Sequence, residues 1–252
     1  MKAVYMEKPW EIKISDIPVP EPQEGEALLK IHSAGICGSD IGAFRGANNL
    51  VSYPRVIGHE LAGEIVSLNS GEPKGLHVGD KVVVDPYLYC GHCYPCSIGR
   101  TNCCTNLRVL GVHVDGGMSE FFAHPVDMLV KVPDDMPWEF IPMAEPLTIA
   151  LHGLQVKAGE HIVIIGAGTI GLLAAITAMS YGAVPILVDV VEERLAFARE
   201  QGIVHTIDSK KEDQVKKVLE YTGGRLAECV MEASGANSAI RGTLDIVCNA
   251  GR

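Results

Sequence analysis

The pattern of apolar and polar positions changes once along the chain, near residue 150. Before that point, short runs rich in β-branched and aromatic residues alternate with glycine and proline turns; they are "EALLKIHSAG", "LAGEIVSLN", "DKVVVDP", "MSEFFAHP" and "MLVKVP". Short strands separated by turns predict a compact β-barrel-like domain over residues 1–150. After that point, the order becomes strand, glycine loop, long helix and strand, which is typical of a doubly wound parallel α/β sheet over residues 151–252.

The second region predicts a parallel sheet with helices between its strands. The predicted strands lie near residues 161–165, 185–189, 203–207 and 228–233. The stretch "SAIRGTLDIVCNAGR" predicts a helix and then a glycine turn that introduces a fifth strand. Because a dinucleotide-binding sheet of this type has six strands, we expect the C-terminal part of the sheet to be missing from these 252 residues.

A glycine-rich loop opens the second region, between a strand and an apolar helix, and the next strand ends at Asp189. This G-x-G-x-x-G context predicts a pyrophosphate on the helix N-terminus and a ribose held by Asp189; a tight turn without a nucleotide is the alternative. The expected cofactor contacts are Gly166, Gly168, Thr169, Ile170, Gly171, Asp189 and Arg194. We expect NAD rather than NADP, because a carboxylate repels a 2′-phosphate and the first arginine, Arg194, lies a helical turn beyond Asp189.

Most of the eight cysteines lie in one stretch, "YLYCGHCYPCSIGRTNCC". The pattern C-x2-C-x2-C-x7-C lets a tight loop turn four sulfurs toward one tetrahedral Zn²⁺, and its members are Cys90, Cys93, Cys96 and Cys104. Four thiolates leave no open coordination position, so we expect a structural zinc in a lobe at about residues 87–106. A disulfide loop or an iron–sulfur site is the alternative. Cys103 is interpreted as a bystander.

Charge and composition narrow the possible partners. The formal net charge is −10, which argues against nucleic acid, because such partners require a surplus of Lys and Arg. The start "MKAVYMEKPWEIKI" has no signal-peptide pattern, and the run "HIVIIGAGTIGLLAAITAM" is too broken by glycine to predict a membrane span. We therefore expect a cytoplasmic protein with no membrane partner, in a compartment that keeps thiols reduced.

Six motifs occur in a fixed order: "AGICGSD", "GHELAGEIV", "GDKVVVDP", the four-cysteine lobe, "MAEPLTIALHG" and "VIIGAGTIGLLAA". Together they resemble the zinc-containing medium-chain alcohol dehydrogenase superfamily, in its polyol, threonine and sugar-acid dehydrogenase branch. The resemblance implies a GroES-like catalytic domain, a Rossmann NAD-binding domain, two zinc ions per subunit and a homo-oligomer, either a dimer or a tetramer. It also implies that the complete protein is roughly 90 residues longer than this chain, which agrees with ordinary domain sizes.

The resemblance further implies a set of catalytic residues. The catalytic zinc is expected at Cys37, His59, Glu60 and Glu145, and it is left open which glutamate binds the metal directly, since a helix-terminus role is the alternative for each. Ser39 matches the position that receives the alcohol proton, and Asp40 matches the carboxylate that orients His59. Turn or cap chemistry is the alternative for Ser39 and Asp40.

One departure from the family pattern concerns the proton path. Many relatives carry a histidine near the position of Gly42, and this chain has "SDIGAF" there. His113 and His152 are candidates to replace it by family position only. The expected activity is hydride transfer from a secondary alcohol, such as a polyol, sugar acid or amino-alcohol, to NAD. A silent zinc- and nucleotide-binding relative and a zinc-free quinone reductase are the rival hypotheses.

Overall fold

The computed structural model describes residues 1–70 and 75–252, and the chain forms two compact units, Met1–Glu145 and Pro146–Arg252. The predicted boundary near residue 150 falls inside a helix, Ala144–Gly153, and the units divide near the start of that helix. The position of the domain boundary therefore stays a prediction, and each unit is described by itself.

The first unit is built from antiparallel strands. Its strands are β1 (Lys2–Lys8), β2 (Glu11–Asp16), β3 (Glu26–Ala34), β4 (Arg55–Val56), β5 (Leu61–Asn69), β6 (Lys81–Val84), β7 (Tyr87–Leu88), β8 (Arg108–Val109), β9 (Phe121–Pro125) and β10 (Leu129–Lys131). They form a five-stranded sheet in the order β10-β6-β5-β3-β9, a three-stranded sheet β2-β1-β4 and the pair β7-β8. The helices of this unit are α1 (Gly38–Phe44) and α2 (Tyr94–Ser97), and 3₁₀ turns cover Thr101–Cys103, Val126–Met128 and Ile141–Met143. Helix α3 (Ala144–Gly153) begins with the last two residues of this unit and continues as the first residues of the second unit.

Apolar side chains that point to the same face of β3 and β5 determine how the five-stranded sheet packs. Ala27 and Leu29 on β3 are fully buried, as are Leu61 and Ile65 on β5, and these side chains join one apolar cluster. Burial of apolar area fixes the register, because a slip by one residue would turn this set toward solvent. In the observed register Ala34 pairs with Leu61, at the end of β3 and the start of β5. The segment that follows β3 therefore lies beside the segment that precedes β5.

The second unit is a parallel sheet covered by helices. Its strands are β11 (His161–Ile165), β12 (Val184–Asp189), β13 (His205–Asp208) and β14 (Cys229–Glu232), in the order β13-β12-β11-β14. The helices are α4 (Thr169–Ser180), α5 (Glu192–Glu200), α6 (Gln214–Tyr221) and α7 (Asn237–Gly242), and a 3₁₀ turn covers Thr243–Asp245. Alternate residues of β11 enter two different apolar clusters, so the strand is buried on both faces. This burial explains its continuous apolar sequence.

Backbone hydrogen bonds define the two edge strands of this sheet, β13 and β14. Strand β13 begins at His205, later than the predicted 203, because the Ile203 amide donates to the Ala198 carbonyl at the end of α5. Arg252 exchanges backbone hydrogen bonds with Glu228 and Val230, in the manner of a strand that pairs with β14. None of the helices in the described ranges combines the length and the apolar character that crossing a bilayer requires.

Candidate active site and zinc centres

The β3–β5 register brings three potential metal ligands together in the first unit. Cys37 follows β3, and His59 and Glu60 precede β5. Each offers one ligand atom, and the three atoms lie within 4.8 Å of one another. A thiolate, an imidazole and a carboxylate are the donor types of catalytic zinc sites, and three protein ligands leave a fourth position open.

Helix α1 holds Cys37 in place. Cys37 is the N-cap residue of α1, and Asp40, at the third position of the helix, accepts a hydrogen bond from the Cys37 amide at 2.9 Å. Asp40 is 5% exposed, and its other carboxylate oxygen lies 3.8 Å from His59 Nδ1. Burial raises the pKa of Asp40, while the His59 ring and the Cys37 amide act in the opposite direction. The carboxylate thus supports one ligand through its amide and faces the ring of another.

His59 indicates that the cluster suits a cation. Its Nδ1 is buried and has no hydrogen-bond partner within the described ranges. Burial alone would lower the pKa of His59, but a hydrogen bond with Cys37 and the charges of Asp40, Cys37 and Glu145 raise it to about 9. In the absence of a metal the ring therefore takes up a proton to balance the surrounding negative groups. A divalent cation supplies that balance directly, so the residues present fit a zinc ion.

The two candidate glutamates differ in their contacts. Glu60 belongs to the cluster with Cys37 and His59, and burial raises its pKa, as do the charges of Glu145 and Asp40. Glu145 is 6% exposed and accepts a hydrogen bond from the Tyr87 hydroxyl at 2.5 Å. Burial raises the pKa of Tyr87 strongly, and the Glu145 carboxylate adds to the effect, so the phenol stays protonated as a donor. The geometry thus gives Glu60 the position of a ligand and gives Glu145 a fixed neighbouring position.

The other residues predicted for proton transfer, Ser39, His113 and His152, lie on separate segments of the chain. Ser39 is half-buried in the first turn of α1, beside Asp40. His113 is exposed, and its Nδ1 accepts a hydrogen bond from the Val109 amide at 3.1 Å. His152 is exposed in the last turn of α3. A buried contact that would make either histidine a proton carrier is not seen in the described part of the chain.

The four-cysteine lobe has the geometry of a closed metal site. The sulfur of Cys93 lies 3.4 Å from that of Cys96 and 3.8 Å from that of Cys104, which lies 3.5 Å from that of Cys90. A tetrahedron with Zn–S bonds of about 2.3 Å has edges of about 3.8 Å. The amides of Cys90 and Asn106 both donate to the Cys104 sulfur at 3.3 Å. The sulfur spacing and these supporting amides fit a structural zinc.

Proton affinities within the lobe also indicate a cation. Backbone hydrogen bonds with Thr105 and Cys96 lower the pKa of Cys93 to about 5. Burial and a hydrogen bond with Cys93 raise the pKa of Cys96 to about 12. The backbone donors thus favour the thiolate at Cys93, while desolvation favours the neutral thiol at Cys96; a bound cation would favour the thiolate form of both. Cys103 is exposed and lies outside this group.

The glycine loop of the second unit matches a nucleotide site. Gly166 has a φ of +104°, and a Cβ on Gly171 would lie 1.8 Å from the Gly166 carbonyl oxygen, so both positions require glycine. Gly168 is the N-cap of α4, and a Cβ there would meet open space. Thr169 is exposed and Ile170 half-buried at the start of that helix. Since the helix N-terminus attracts phosphate and faces open space, the loop fits a dinucleotide.

A cavity of about 500 Å³ borders this loop and includes Asp189 and Arg194 in its lining. The Asp189 carboxylate accepts hydrogen bonds from the amides of Ala167, Val190 and Val191 at 2.6, 2.7 and 2.9 Å. Arg194 Nη1 lies 3.7 Å from the same carboxylate. The sequence places Arg194 a helical turn beyond Asp189. Because Arg194 lies in the first turn of α5, its guanidinium nevertheless comes within ion-pair distance of the Asp189 carboxylate.

The sequence does not predict the contact of Tyr87 with Glu145. It is separated from Glu145 by 58 residues, and it lies in a cysteine-rich stretch that drew attention to its thiols. No local spacing links a tyrosine to a glutamate so far along the chain. Only the tertiary fold identifies the pair.

Two family models match the chain. "Alcohol dehydrogenase GroES-like domain" matches residues 23–134, and "Zinc-binding dehydrogenase" matches residues 169–252. The first match contains the Cys37 cluster and the lobe, and the second contains Gly171, the last glycine of the loop, together with Asp189. Helix α3, the whole of β11 and the first two loop glycines, Gly166 and Gly168, lie between the two matches.

Relatives and solved structures agree with these matches. A zinc-type alcohol dehydrogenase-like protein of Haemophilus influenzae is 55% identical over 100% of this chain and 75% of its own length. The L-galactonate-5-dehydrogenase of Escherichia coli is 36% identical over 100% of this chain and 74% of its own length. A crystal structure of an E. coli CFT073 alcohol dehydrogenase complexed with NADH has a TM-score of 0.89 and 36% identity, covering 100% of this chain and 74% of that one.

Proposed function

The chain belongs to the zinc-binding alcohol dehydrogenase family, and from that premise we propose that it oxidises a secondary alcohol by hydride transfer to NAD. The observation that carries this proposal is the convergence of Cys37, His59 and Glu60 in the first unit. A purely structural role needs no such set, because a buried imidazole and a buried carboxylate beside a half-buried thiol are costly unless a cation joins them.

The metal is held by this chain's own side chains. Cys37 and His59 supply the thiolate and the imidazole, and we assign the third ligand to Glu60 rather than Glu145, because Glu60 alone shares the cluster. Glu145, which accepts a hydrogen bond from the Tyr87 hydroxyl, lies close enough to His59 to act on it electrostatically. A zinc ion held by these residues would supply Lewis-acid activation of an alcohol hydroxyl, and bound NAD would be the hydride acceptor.

Two residues of α1 have separate roles in this proposal: Asp40 orients the metal ligands, and Ser39 accepts a proton. Asp40 accepts from the Cys37 amide and faces His59 Nδ1, so it keeps both ligands in one orientation. Ser39, next to it in the first turn, is the hydroxyl that receives the alcohol proton in this proposal. Its half-buried position supports that role, since the proton must continue toward water.

The second unit binds the cofactor in this proposal. The amides at the start of α4 hold the pyrophosphate, with Gly166, Gly168 and Gly171 allowing its approach, and Asp189 holds the adenosine ribose. Thr169, Ile170 and Arg194 complete the contacts. One zinc ion per candidate group corresponds to two ions per chain.

The substrate is a small polar alcohol, and a polyol, sugar acid or amino-alcohol is the class we propose; the named activity of the L-galactonate-5-dehydrogenase supports this class. Self-association as a dimer or tetramer is part of the proposal, and the exposed Tyr94 and Ile98 of the lobe support it. The net charge of −10 favours partners other than nucleic acid. Thiolate ligands must stay reduced, which supports a cytoplasmic location.

The test combines metal analysis with a substrate screen on the natural full-length protein. Polyols, sugar acids and amino-alcohols are each offered with NAD and with NADP, and zinc is counted by atomic emission. We expect one zinc for each of the two groups and formation of reduced nicotinamide with at least one alcohol. His59→Gln should lose one zinc and all turnover, whereas Cys103→Ser, a control at the exposed thiol, should keep both.

Two results would contradict the proposal. One zinc per chain and no turnover with any alcohol would identify a silent relative. A zinc-free protein that reduces quinones would identify the reductase alternative.

A further inference from the structure

Gly35 lies under the side chain of Glu60. It follows β3 directly, and its amide donates to the Glu60 carbonyl oxygen at 2.8 Å, which continues the β3–β5 ladder by one step. A Cβ built on Gly35 would lie 2.0 Å from Glu60 Oε2, 2.9 Å from Glu60 Cβ and 3.0 Å from Glu60 Cδ. The Glu60 side chain therefore runs across the α-carbon of Gly35, where no other residue leaves room.

The backbone does not explain this glycine. Gly35 has no left-handed φ, in contrast to Gly58, whose φ is +100°. An alanine could thus adopt the Gly35 conformation without backbone strain. All three of the nearest atoms belong to Glu60. The demand for glycine comes from the space that one carboxylate side chain occupies.

The size of this conflict decides whether Glu60 could stay in place. Non-bonded carbon and oxygen atoms seldom approach closer than about 3 Å, so a methyl group at Gly35 would push Oε2 away by about 1 Å or more. Zinc–oxygen bonds in proteins span only about 2.0–2.2 Å, so a shift of that size breaks coordination. Glu60 is 9% exposed, which leaves its side chain few other positions.

We propose that Gly35 is a positioning residue that keeps the Glu60 carboxylate beside Cys37 and His59 by leaving its own side-chain volume empty. This inference rests on the proposed function, because it treats Glu60 as a ligand of the catalytic zinc. It extends that proposal to a residue with no functional group, one whose only contribution is the absence of a Cβ.

Gly35→Ala tests the inference, and Gly38→Ala is the matched control. Gly38 lies in the same "AGICGSD" motif, lacks a left-handed φ, and a Cβ there would meet no atom within 4 Å. The readouts are the zinc dissociation constant, from competition with a chromophoric chelator, and the visible absorption of the cobalt-substituted protein. We expect Gly35→Ala to weaken the catalytic zinc by about 10- to 100-fold, the usual effect of disturbing a ligand's support. Gly38→Ala should stay within about twofold of the unmodified protein, and both variants should keep the lobe zinc.

A second background makes the test specific to Glu60. In Glu60→Ala the opposing carboxylate is gone, so adding Gly35→Ala should change zinc affinity far less than it does alone, and the two effects should be non-additive. If Gly35→Ala fails to fold and the double variant folds, the steric pairing is supported. If the double variant fails as well, Glu60 is not the reason for the glycine and the inference is wrong.

The outcomes separate this inference from the proposed function. If the unmodified protein binds zinc only at the four cysteines, the proposed function fails first, and the inference fails with it. If the unmodified protein binds the second zinc and Gly35→Ala binds it equally tightly with an unchanged cobalt spectrum, only the positioning role is overturned.

Discussion

His124 is a histidine that the core keeps neutral. It is 1% exposed on β9, and its Nε2 lies 2.9 Å from the Asp85 carbonyl oxygen, to which it donates. Burial lowers the pKa of His124 to about 4, and the hydrogen bond with Asp85 only partly opposes this. The imidazole therefore acts as a packed donor that lies outside the metal cluster.

This histidine should make the folded state sensitive to acid. The pKa of His124 is 6.5 in the unfolded chain and about 4 in the folded chain. Between these pH values the unfolded chain therefore binds a proton at His124 and the folded chain does not. The free energy of unfolding should therefore decrease as the pH falls through this window, by roughly 3 kcal/mol in total at about 1.4 kcal/mol per pKa unit. Denaturant unfolding of His124→Gln from pH 7.5 to pH 4.5 should show a shallower loss.

The control for this experiment is His152→Gln, which alters an exposed histidine. It should keep the pH dependence of the unmodified protein. Zinc content is measured at each pH so that metal loss is separated from protonation. Equal slopes for His124→Gln and the unmodified protein would show that His124 does not govern this window.

The roles of individual side chains were predictable only where the residue lies in a local sequence motif. The thiols of the lobe follow from spacing alone, and Cys37, His59 and Glu60 follow from a resemblance in which each sits in its own motif. Tyr87 and Gly35 were missed because their roles exist only through partners far along the chain, Glu145 and Glu60. A hydroxyl or a missing Cβ carries no spacing signal.

Short elements around the lobe would depend on a metal bound by the four thiolates. Helix α2 has only 4 residues, and β7 and β8 pair over two positions each. Helices this short are unstable alone, since nucleation is unfavourable and few bonds follow it. The four thiolates must therefore supply the order that hydrogen bonding and burial do not.

Cys93→Ser tests this dependence. Removal of one thiolate should release the lobe zinc and lower the melting temperature, while the Cys37 cluster keeps its ion. Exposed Cys103 gives the matched control: Cys103→Ser should leave zinc content and melting temperature unchanged. Zinc counting and calorimetry on both variants decide the matter, and loss of zinc from Cys103→Ser would mean that the ligand set includes this thiol.

Strand positions of the second unit were predictable to within two residues, and the largest displacement, at the start of β13, has a physical cause. Apolar β-branched residues at 203 and 204 suggest that β13 starts there. Gly202, with a φ of +88°, instead ends α5, and the Ile203 amide is used to close the helix. The end of α5 thus uses Ile203, a residue type that favours strands, and pairing with β12 begins only at His205.

Charge across the chain bears on cofactor choice. The net charge is −10, and the nucleotide cavity holds one acidic and one basic side chain, Asp189 and Arg194, at ion-pair distance. NADP brings a 2′-phosphate close to the ribose site, where two like charges about 5 Å apart repel by roughly 3 kcal/mol at the effective dielectric of a protein surface. Under the proposed function Asp189 would therefore favour NAD, and its ion pair would occupy the guanidinium of Arg194, the group available to bind a phosphate.

Asp189→Asn should reverse part of this preference. The substitution removes the repulsion and frees Arg194, so the ratio of kcat/KM for NAD over NADP should fall by about tenfold or more, which is at least about 1.4 kcal/mol. Adding Arg194→Gln should abolish the gain with NADP. Steady-state kinetics with both cofactors provide the measurement; an unmodified protein that prefers NADP would overturn the assignment of Asp189.

The position of the lobe ligands has a consequence for the order of folding. All four sulfurs come from one stretch between Cys90 and Cys104, whereas the Cys37 cluster needs the β3–β5 ladder to form first. Loops of about ten residues close within tens of nanoseconds, while sheets that join distant strands form in milliseconds to seconds. The lobe can therefore capture its metal from a chain that is still largely unfolded. During synthesis the lobe would become a small, metal-bound ordered segment. The rest of the first unit would fold more slowly around it, and the Cys37 cluster would bind its own ion only after that.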